Sequence, residues 1–286
     1  MLYLKILILA LLQGACELLP VSSSAHVIIA EKFMGLDPSA PEMTLLLVML
    51  HTGTMFAVLI YFRRYWREQF FSSRASLIKS VKLIAMATLF TGLIGYILKI
   101  IIEKIFLRSI AHAEVELLFG NLGLIAVALA AVGILIIYSS RHKSNLPPRE
   151  DLNLKESAWI GIVQGLCLPF RGFSRSGATI STGLLLGIER LRAEEFSFSL
   201  AVILTPPVVI REIWRLLRAH SANPDISSGL IHLFLPSLIG MIASFGAGLL
   251  ALKWLSRWLE KGRWSFFGYY CLTFSLVVAI IYKTGL

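Results

Sequence analysis

Charge is scarce in this sequence. Asp, Glu, Lys and Arg together make up 15% of its 286 residues, against 57% hydrophobic residues and a mean hydropathy of +0.77. Soluble domains carry about 25% charged and about 45–50% apolar residues. The shortage excludes a water-soluble globular domain and makes lipid the solvent. Strand-length alternation is also missing: the apolar runs are long and even, so helices rather than barrel strands span the bilayer. Cysteine is rare, with Cys16, Cys167 and Cys271 in apolar surroundings and without metal-ligand spacing. An odd count so placed argues against a disulfide framework or a zinc site and for unpaired structural thiols. Acidic residues are outnumbered, 17 against 27 basic, giving a formal net charge of +10 and a pI near 9.7. In a soluble chain that balance would raise nucleic acid as a partner. Here the basic residues gather in loops between apolar runs, as the positive-inside rule requires, so membrane lipids and no nucleic acid are expected.

What charge there is lies in revealing places. Residues 164–179 read QGLCLPFRGFSRSGAT, with two arginines, two serines and a proline inside an otherwise apolar half. A charge within a membrane costs about 2.5–3.5 kcal/mol on the mildest insertion scale, so such residues have a task or a partner. Residues 13–26, QGACELLPVSSSAH, resemble a diverged copy. Gln13, Gly14 and Cys16 align with Gln164, Gly165 and Cys167; after a one-residue slip, Ser22, Ser24, Gly35 and Glu42 align with Ser174, Ser176, Gly187 and Glu194. The order of hydrophobic segments repeats as well, which points to duplication. Residues 2–12 and 27–34 are apolar halves too short to span, broken by Pro20 and the serine triplet; residues 158–168 and 178–188 repeat that plan around the second motif. Each pair reads as a re-entrant broken hairpin. The first fifteen residues mimic a secretion signal, but their pattern recurs at Gln164, so they are read as mature structure.

Full spans are expected at residues 43–62, 83–102, 117–138, 196–217, 230–252 and 266–282. The fold class is therefore an all-α polytopic membrane protein of six transmembrane helices and two re-entrant hairpins, in one membrane domain over residues 1–286. Residues 1–138 form a first repeat, 139–157 a polar cytoplasmic linker and 158–286 a second repeat. Three spans per half invert the second copy relative to the first. Basic loops at 63–82, 139–157 and 253–263 then fall on the cytoplasmic side. Arg211, Arg215 and Arg218 fall on the other side and do not fit; capping of their helix or contact with lipid headgroups would account for them.

The two motifs offer different chemistry. In the second, Gly172 and Gly177 allow a tight turn into a half-helix beginning near Ser176. A helix N-terminus presents N–H groups and partial positive charge, which suits an anion. Arg175 adds a planar fork of donors for phosphate oxygens, and Ser174, Ser176 and Thr179 add hydroxyls. In the first, Glu17 lies one helical turn after Gln13, so both share a face. A carboxylate with an amide oxygen can hold a hard divalent cation, Mg²⁺ or Ca²⁺. His26 can act as general acid, base or nucleophile near neutral pH. Glu17 corresponds to Leu168, His26 to Ala178 and Ser23 to Arg175, so each copy lacks what the other has. A composite site between the halves would unite both sets.

At these residues the chain resembles the bacterial undecaprenyl-diphosphate phosphatases associated with bacitracin resistance. That family is marked by a Glu/Gln-xxx-Glu motif leading into Leu-Pro-(hydrophobic)-Ser-Ser-(Ser/Thr)-(Gly/Ala)-His, and by Pro-Gly-x-Ser-Arg-Ser-Gly-x-Thr. Here they read Gln13-xxx-Glu17, LLPVSSSAH ending at His26, and GFSRSGAT over residues 172–179. The resemblance implies an integral membrane phosphatase of the bacterial inner membrane that hydrolyses the C55 lipid diphosphate to its monophosphate. It implies dependence on a divalent cation and a site open to the periplasm. Glu17 and Gln13 would serve the metal or water. Ser23, His26 or water would be the nucleophile, and Arg175 would act with Ser174, Ser176 and Thr179 on the diphosphate. Ser22, Arg171, Gly172 and Gly177 join the substrate-binding positions, His51 is a secondary candidate, and a second copy of the chain is a candidate partner. Two departures stand out: Arg171 occupies the place where the family carries proline, and Gln13 replaces a carboxylate. The competing reading is a polyprenyl-phosphate flippase or a proton-coupled transporter of an anionic substrate, because inverted repeats with broken helices are typical of transporters.

Overall fold

A computed structural model describes residues 2–36, 41–106, 115–142, 148–222 and 226–284. Residues 107–114 of the loop after the second span, residues 143–147 of the linker and the Arg215 side chain lie outside the described residues. The described chain holds ten α-helices: α1 (Leu2–Leu18), α2 (Ser23–Phe33), α3 (Pro41–Phe70), α4 (Arg74–Ile101), α5 (Leu122–Arg141), α6 (Leu154–Cys167), α7 (Arg175–Leu185), α8 (Arg190–Ala222), α9 (Ile226–Glu260) and α10 (Ser265–Thr284). Named strands are absent from it, and one isolated bridge joins Arg149 to Ile188.

Among the described residues, six helices are long and apolar enough to cross a membrane: Leu45–Phe70, Arg74–Ile105, Leu122–Arg141, Arg190–Arg211, Phe234–Glu260 and Ser265–Thr284. Each corresponds to an expected span, but several extend into charged flanks. Residues 63–82, expected as a basic loop, are the end of α3 and the start of α4 around a short turn. Ser73 caps α4 by accepting the Ser76 N–H at 3.0 Å. A hydropathy window discards charged turns, whereas the helix continues and lets Lys and Arg stems run along apolar surface. Pro206 and Pro207 lie inside α8 and Pro236 inside α9. Beyond the apolar part of α8, the Arg218 guanidinium sits 5.0 Å from the Trp214 ring, a cation–π pair of the kind found at membrane interfaces.

The chain divides into two compact units. The first comprises Met1–Leu19, Ser23–Arg63 and Ala201–Leu255; the second comprises Pro20–Ser22, Arg64–Leu200 and Ser256–Leu286. Both draw on each half of the sequence.

In the first unit, Ile6, Leu9, Ala10, Val27, Met43, Leu46 and Leu50 form a continuous buried cluster from α1, α2 and α3. Small residues let α9 approach. A Cβ on Gly14 of α1 would lie 2.5 Å from the Ser244 carbonyl oxygen, and one on Gly53 of α3 would lie 2.3 Å from that of Met241. Ser244 donates to the Leu50 carbonyl at 3.0 Å. Close backbone approach at small residues is how helices associate in lipid, where apolar burial gives no net drive.

The second unit repeats this device. Gly161 and Gly165 of α6 lie against Ala87, Thr91 and Ile94 of α4, and Gly133 of α5 lies against the backbone of Gly268 on α10. Thr91 donates to the carbonyls of Ala87 and Gly161, and Ser157 to that of Leu83. Asn153 and Glu156 form a capping box that starts α6. The described end of the linker is tied to the chain after α7: the Arg149 N–H donates to Gly187 and the Glu189 N–H to Arg149, at 3.0 and 2.8 Å. Helices α7 and α8 pack antiparallel, Gly183 meeting Ala193 and Thr179 meeting Ser197.

Candidate active site

The candidate residues form two groups, one around the break between α1 and α2 and one around the first turn of α7. The first is built where α1 ends and α2 begins. Two short half-helices separated by a break bring the last turn of one near the first turn of the other. The Ser23 hydroxyl donates to Glu17 Oε2 at 2.5 Å, and the Gln13 side-chain amide donates to the same oxygen at 3.3 Å. Gln13 is buried, while Glu17 and Ser23 are half-buried. A carboxylate that accepts from a serine hydroxyl can take its proton as the oxygen attacks, which is the arrangement of an activated nucleophile. Gln13 holds the accepting oxygen in place. His26 follows Ser23 by three residues on α2, hence on the same face, and is buried. Ser22 adopts a left-handed backbone, φ 67°, at the break itself. A non-glycine residue there is strained by roughly 1–2 kcal/mol, a feature that clusters at functional turns. His51, the secondary candidate, lies on α3 with Nδ1 2.8 Å from the Leu47 carbonyl.

The second group surrounds the first turn of α7. Gly172 has φ 99°, and a Cβ there would lie 2.6 Å from the Ile125 carbonyl oxygen, so this turn requires glycine twice over. Ser174 is the N-cap, its hydroxyl accepting the Gly177 N–H at 3.2 Å. The Ser174 and Ser176 hydroxyls lie 3.4 Å apart and both are buried. Arg175 opens the helix and is half-buried. Gly177 packs toward Val132 and Ile136. Thr179 donates to the Arg175 carbonyl at 2.8 Å and meets Ser197 at 2.6 Å. Exposed Arg171 stacks over Phe119, 4.5 Å to the ring centroid, on the approach to the turn. One helix N-terminus, one cap and a guanidinium thus share a single turn, the arrangement that suits an anion.

Among the described residues, no group of three His, Cys, Asp or Glu side chains is arranged to hold a metal ion. Glu17 with Gln13 supplies one carboxylate and one amide. That is too little for a closed protein cage, but it fits a Mg²⁺-type cation, which is commonly held by one or two carboxylates plus substrate phosphates and water.

Three features escaped the sequence. The Ser23–Glu17 bond depends on how the break folds back, which spacing alone does not give. Ser197 sits in the run FSFS after a charged stretch, and only the antiparallel α7–α8 register brings it to Thr179. A buried polar cluster at the start of α8 was also unforeseen: Arg192 pairs with Glu195, and Ser256 donates to Glu194 at 2.6 Å.

Comparison with known proteins gives consistent matches. The profile of the bacitracin resistance protein BacA family covers residues 6–277. An undecaprenyl-diphosphatase 2 of Acinetobacter baylyi is 56% identical over 276 residues, 96% of this chain and 96% of its own. An undecaprenyl-diphosphatase of Bdellovibrio bacteriovorus is 28% identical, covering 99% and 97% of the two chains. An undecaprenyl-diphosphatase 2 of Bacillus thuringiensis is 30% identical, covering 97% of each.

Proposed function

Because the chain belongs to the bacitracin resistance protein BacA family, we infer that it is an undecaprenyl-diphosphate phosphatase. It hydrolyses the lipid diphosphate to undecaprenyl phosphate and inorganic phosphate, returning the carrier to cell-wall synthesis. It is a multi-pass membrane protein with six apolar spans. The flippase or transporter reading is not favoured: the relatives that match end to end are named as diphosphatases.

The site assignment goes further and rests chiefly on one observation, the 2.5 Å bond from Ser23 to Glu17. Ser23 Oγ attacks the terminal phosphorus while Glu17 takes the hydroxyl proton. The bond from that phosphorus to the bridging oxygen breaks, and undecaprenyl phosphate leaves. Water then releases inorganic phosphate from Ser23, with Glu17 and His26 as the proton-transfer groups. Arg175 and the first turn of α7 bind the diphosphate oxygens, assisted by Ser174 and Ser176. Charge builds on those oxygens in the transition state, and preorganised donors there lower the barrier. A Mg²⁺ or Ca²⁺ ion bound by Glu17, Gln13 and the substrate would neutralise part of the diphosphate charge.

The same reading makes α1–α2 and α6–α7 re-entrant hairpins of an inverted repeat. Its support is that all four helices are shorter than the roughly 20 residues a span needs. On this reading the ends of α3, α4 and α9 lie in the cytoplasm and the site opens to the periplasm of the inner membrane; the support is the basic character of those ends and the positive-inside rule. A homodimer is the assembly to test first. The deciding experiment is phosphate release by the purified protein from undecaprenyl diphosphate with Mg²⁺ or Ca²⁺ present. Release abolished by Glu17→Ala and by Arg175→Ala in folded protein supports the reading. No release from folded wild-type protein overturns it.

A further inference from the structure

We propose that the end of α8 beyond its two prolines is an interfacial arm that binds the headgroups of anionic phospholipids. Helix α8 has 33 residues, about 50 Å of helix at 1.5 Å per residue, against about 30 Å of hydrocarbon to cross. Its apolar span ends at Arg211, so residues 211–222 continue past the hydrocarbon into the headgroup layer. Pro206 and Pro207 come one turn before Arg211 and remove two N–H groups from the helical ladder. Helices kink at such residues, and a kink here lets the arm lie along the membrane surface.

The arm's sequence has the pattern of a helix that lies in an interface. Arg211, Arg215 and Arg218 stand at i, i+4 and i+7, one stripe of a helix, against a single acid, Glu212. On the opposite side the same spacing collects Val209, Ile210, Ile213, Leu216 and Leu217. A cationic stripe opposed by an apolar one is what sets an amphipathic helix on an anionic lipid surface. Arg211 and Arg218 are exposed, and the Arg218 guanidinium lies 5.0 Å from the ring of exposed Trp214. Tryptophan at the end of an apolar span marks headgroup level, and a guanidinium stacked by its face presents its N–H edge to phosphate oxygens. Each guanidinium has five donors, so an arginine that also bonds to the protein can still serve a phosphate. On the topology proposed above this end of α8 is periplasmic, where the positive-inside rule places no basic cluster. Orientation in the membrane therefore does not account for the three arginines, whereas phosphate-bearing headgroups do. A zwitterionic headgroup carries its own cation, so a net positive arm selects the anionic lipid.

Photo-crosslinking in vesicles of equal phosphatidylglycerol and phosphatidylcholine tests this. The full chain carrying Ile210→Cys, an exposed position beside Arg211, takes a benzophenone maleimide, while Cys16, Cys167 and Cys271 are buried. Mass spectrometry of the irradiated adducts then counts each lipid. Phosphatidylglycerol is expected to exceed phosphatidylcholine by roughly threefold or more. Arg211→Gln with Arg218→Gln should bring the ratio to about one, and Arg211→Lys with Arg218→Lys should hold it at about twofold or above. Raising the salt from about 0.1 to about 1 M shortens the screening length from about 10 to about 3 Å and should lower the ratio without further substitution. The salt series thus reads the arm even if the glutamine variant fails to fold. A ratio near one with all the arginines in place, or a raised ratio that persists in the glutamine variant or at high salt, overturns the proposal. Displacement of phosphatidylglycerol from the adduct by a small fraction of undecaprenyl diphosphate would give the arm to the substrate lipid and overturn it as well. None of these outcomes depends on turnover, so the phosphatase reading stands or falls separately.

Discussion

The helix pairs α1–α2 and α6–α7 carry similar residues and put them to different uses. Gln13 and Gln164 align in sequence, yet Gln13 donates to the carboxylate of Glu17 while Gln164 donates to Thr91 on a neighbouring helix. The second copy has Leu168 where the first has Glu17, so its glutamine has no acid to hold and has become part of the α4–α6 contact. The adjacent glycines kept their role: Gly14 meets the α9 backbone and Gly165 meets that of α4. The two motifs share their packing and differ in their chemistry. Backbone strain was solved twice as well, by Ser22 with φ 67° in one break and Gly172 with φ 99° in the other. One hairpin can hold an acid and a nucleophile, and the other an anion clamp.

The largest effect expected from breaking this comparison is at the acid and nucleophile. Ser23→Ala and Glu17→Gln should each lower kcat by roughly 10⁴-fold or more, because residues that act as one unit lose nearly everything singly. Turnover in both above a tenth of wild type would remove the nucleophile assignment. Arg175→Ala comes next, at about 10²–10³-fold, the scale of one lost transition-state donor.

The paired glutamines sharpen the contrast. Gln13→Leu should cost roughly tenfold or more in kcat, since the Glu17 carboxylate loses its brace. Gln164→Leu should leave kcat within twofold. Gln164 Oε1 is buried without a partner among the described residues, so a leucine of similar volume removes an unsatisfied carbonyl and should not lower the melting temperature. If Gln164→Leu instead abolishes turnover, the two copies are more alike than the structure indicates.

The paired glycines should behave alike. Gly14→Ala and Gly165→Ala each force a Cβ against a backbone oxygen and should cost about 1–3 kcal/mol of stability. Thermal unfolding in detergent would compare them. The smallest effect is expected at the linker, where Lys79 lies 2.8 Å from Asp151 and holds its carboxyl below the usual range. The sign follows: a lowered carboxyl stabilises above its unfolded value, and the gain is lost as pH falls through the folded one. Both side chains are largely exposed, so Asp151→Asn should shift the melting temperature at neutral pH by about 1 °C or less.

Much of this was legible in the sequence, and for physical reasons. A lipid solvent forces long apolar runs, so all six spans were visible. The breaks at Pro20 and Gly172 were visible because each stands with serines between apolar halves too short to span. Element ends were less legible, since Arg63, Arg64 and Arg67 continue α3 where hydropathy falls. The Glu17–Gln13 pairing followed from helical spacing. The bonds from Ser23 to Glu17 and from Ser197 to Thr179 did not, because each depends on how two helices are set against one another.

Separating chemistry from binding tests the division of labour most directly. Isothermal titration of inorganic pyrophosphate with Mg²⁺ into purified Ser23→Ala and Arg175→Ala would do so. The account predicts that Ser23→Ala binds within twofold of wild type, although it turns over no substrate, and that Arg175→Ala binds at least tenfold more weakly. Equal weakening in the two variants, or wild-type affinity in Arg175→Ala, would contradict it.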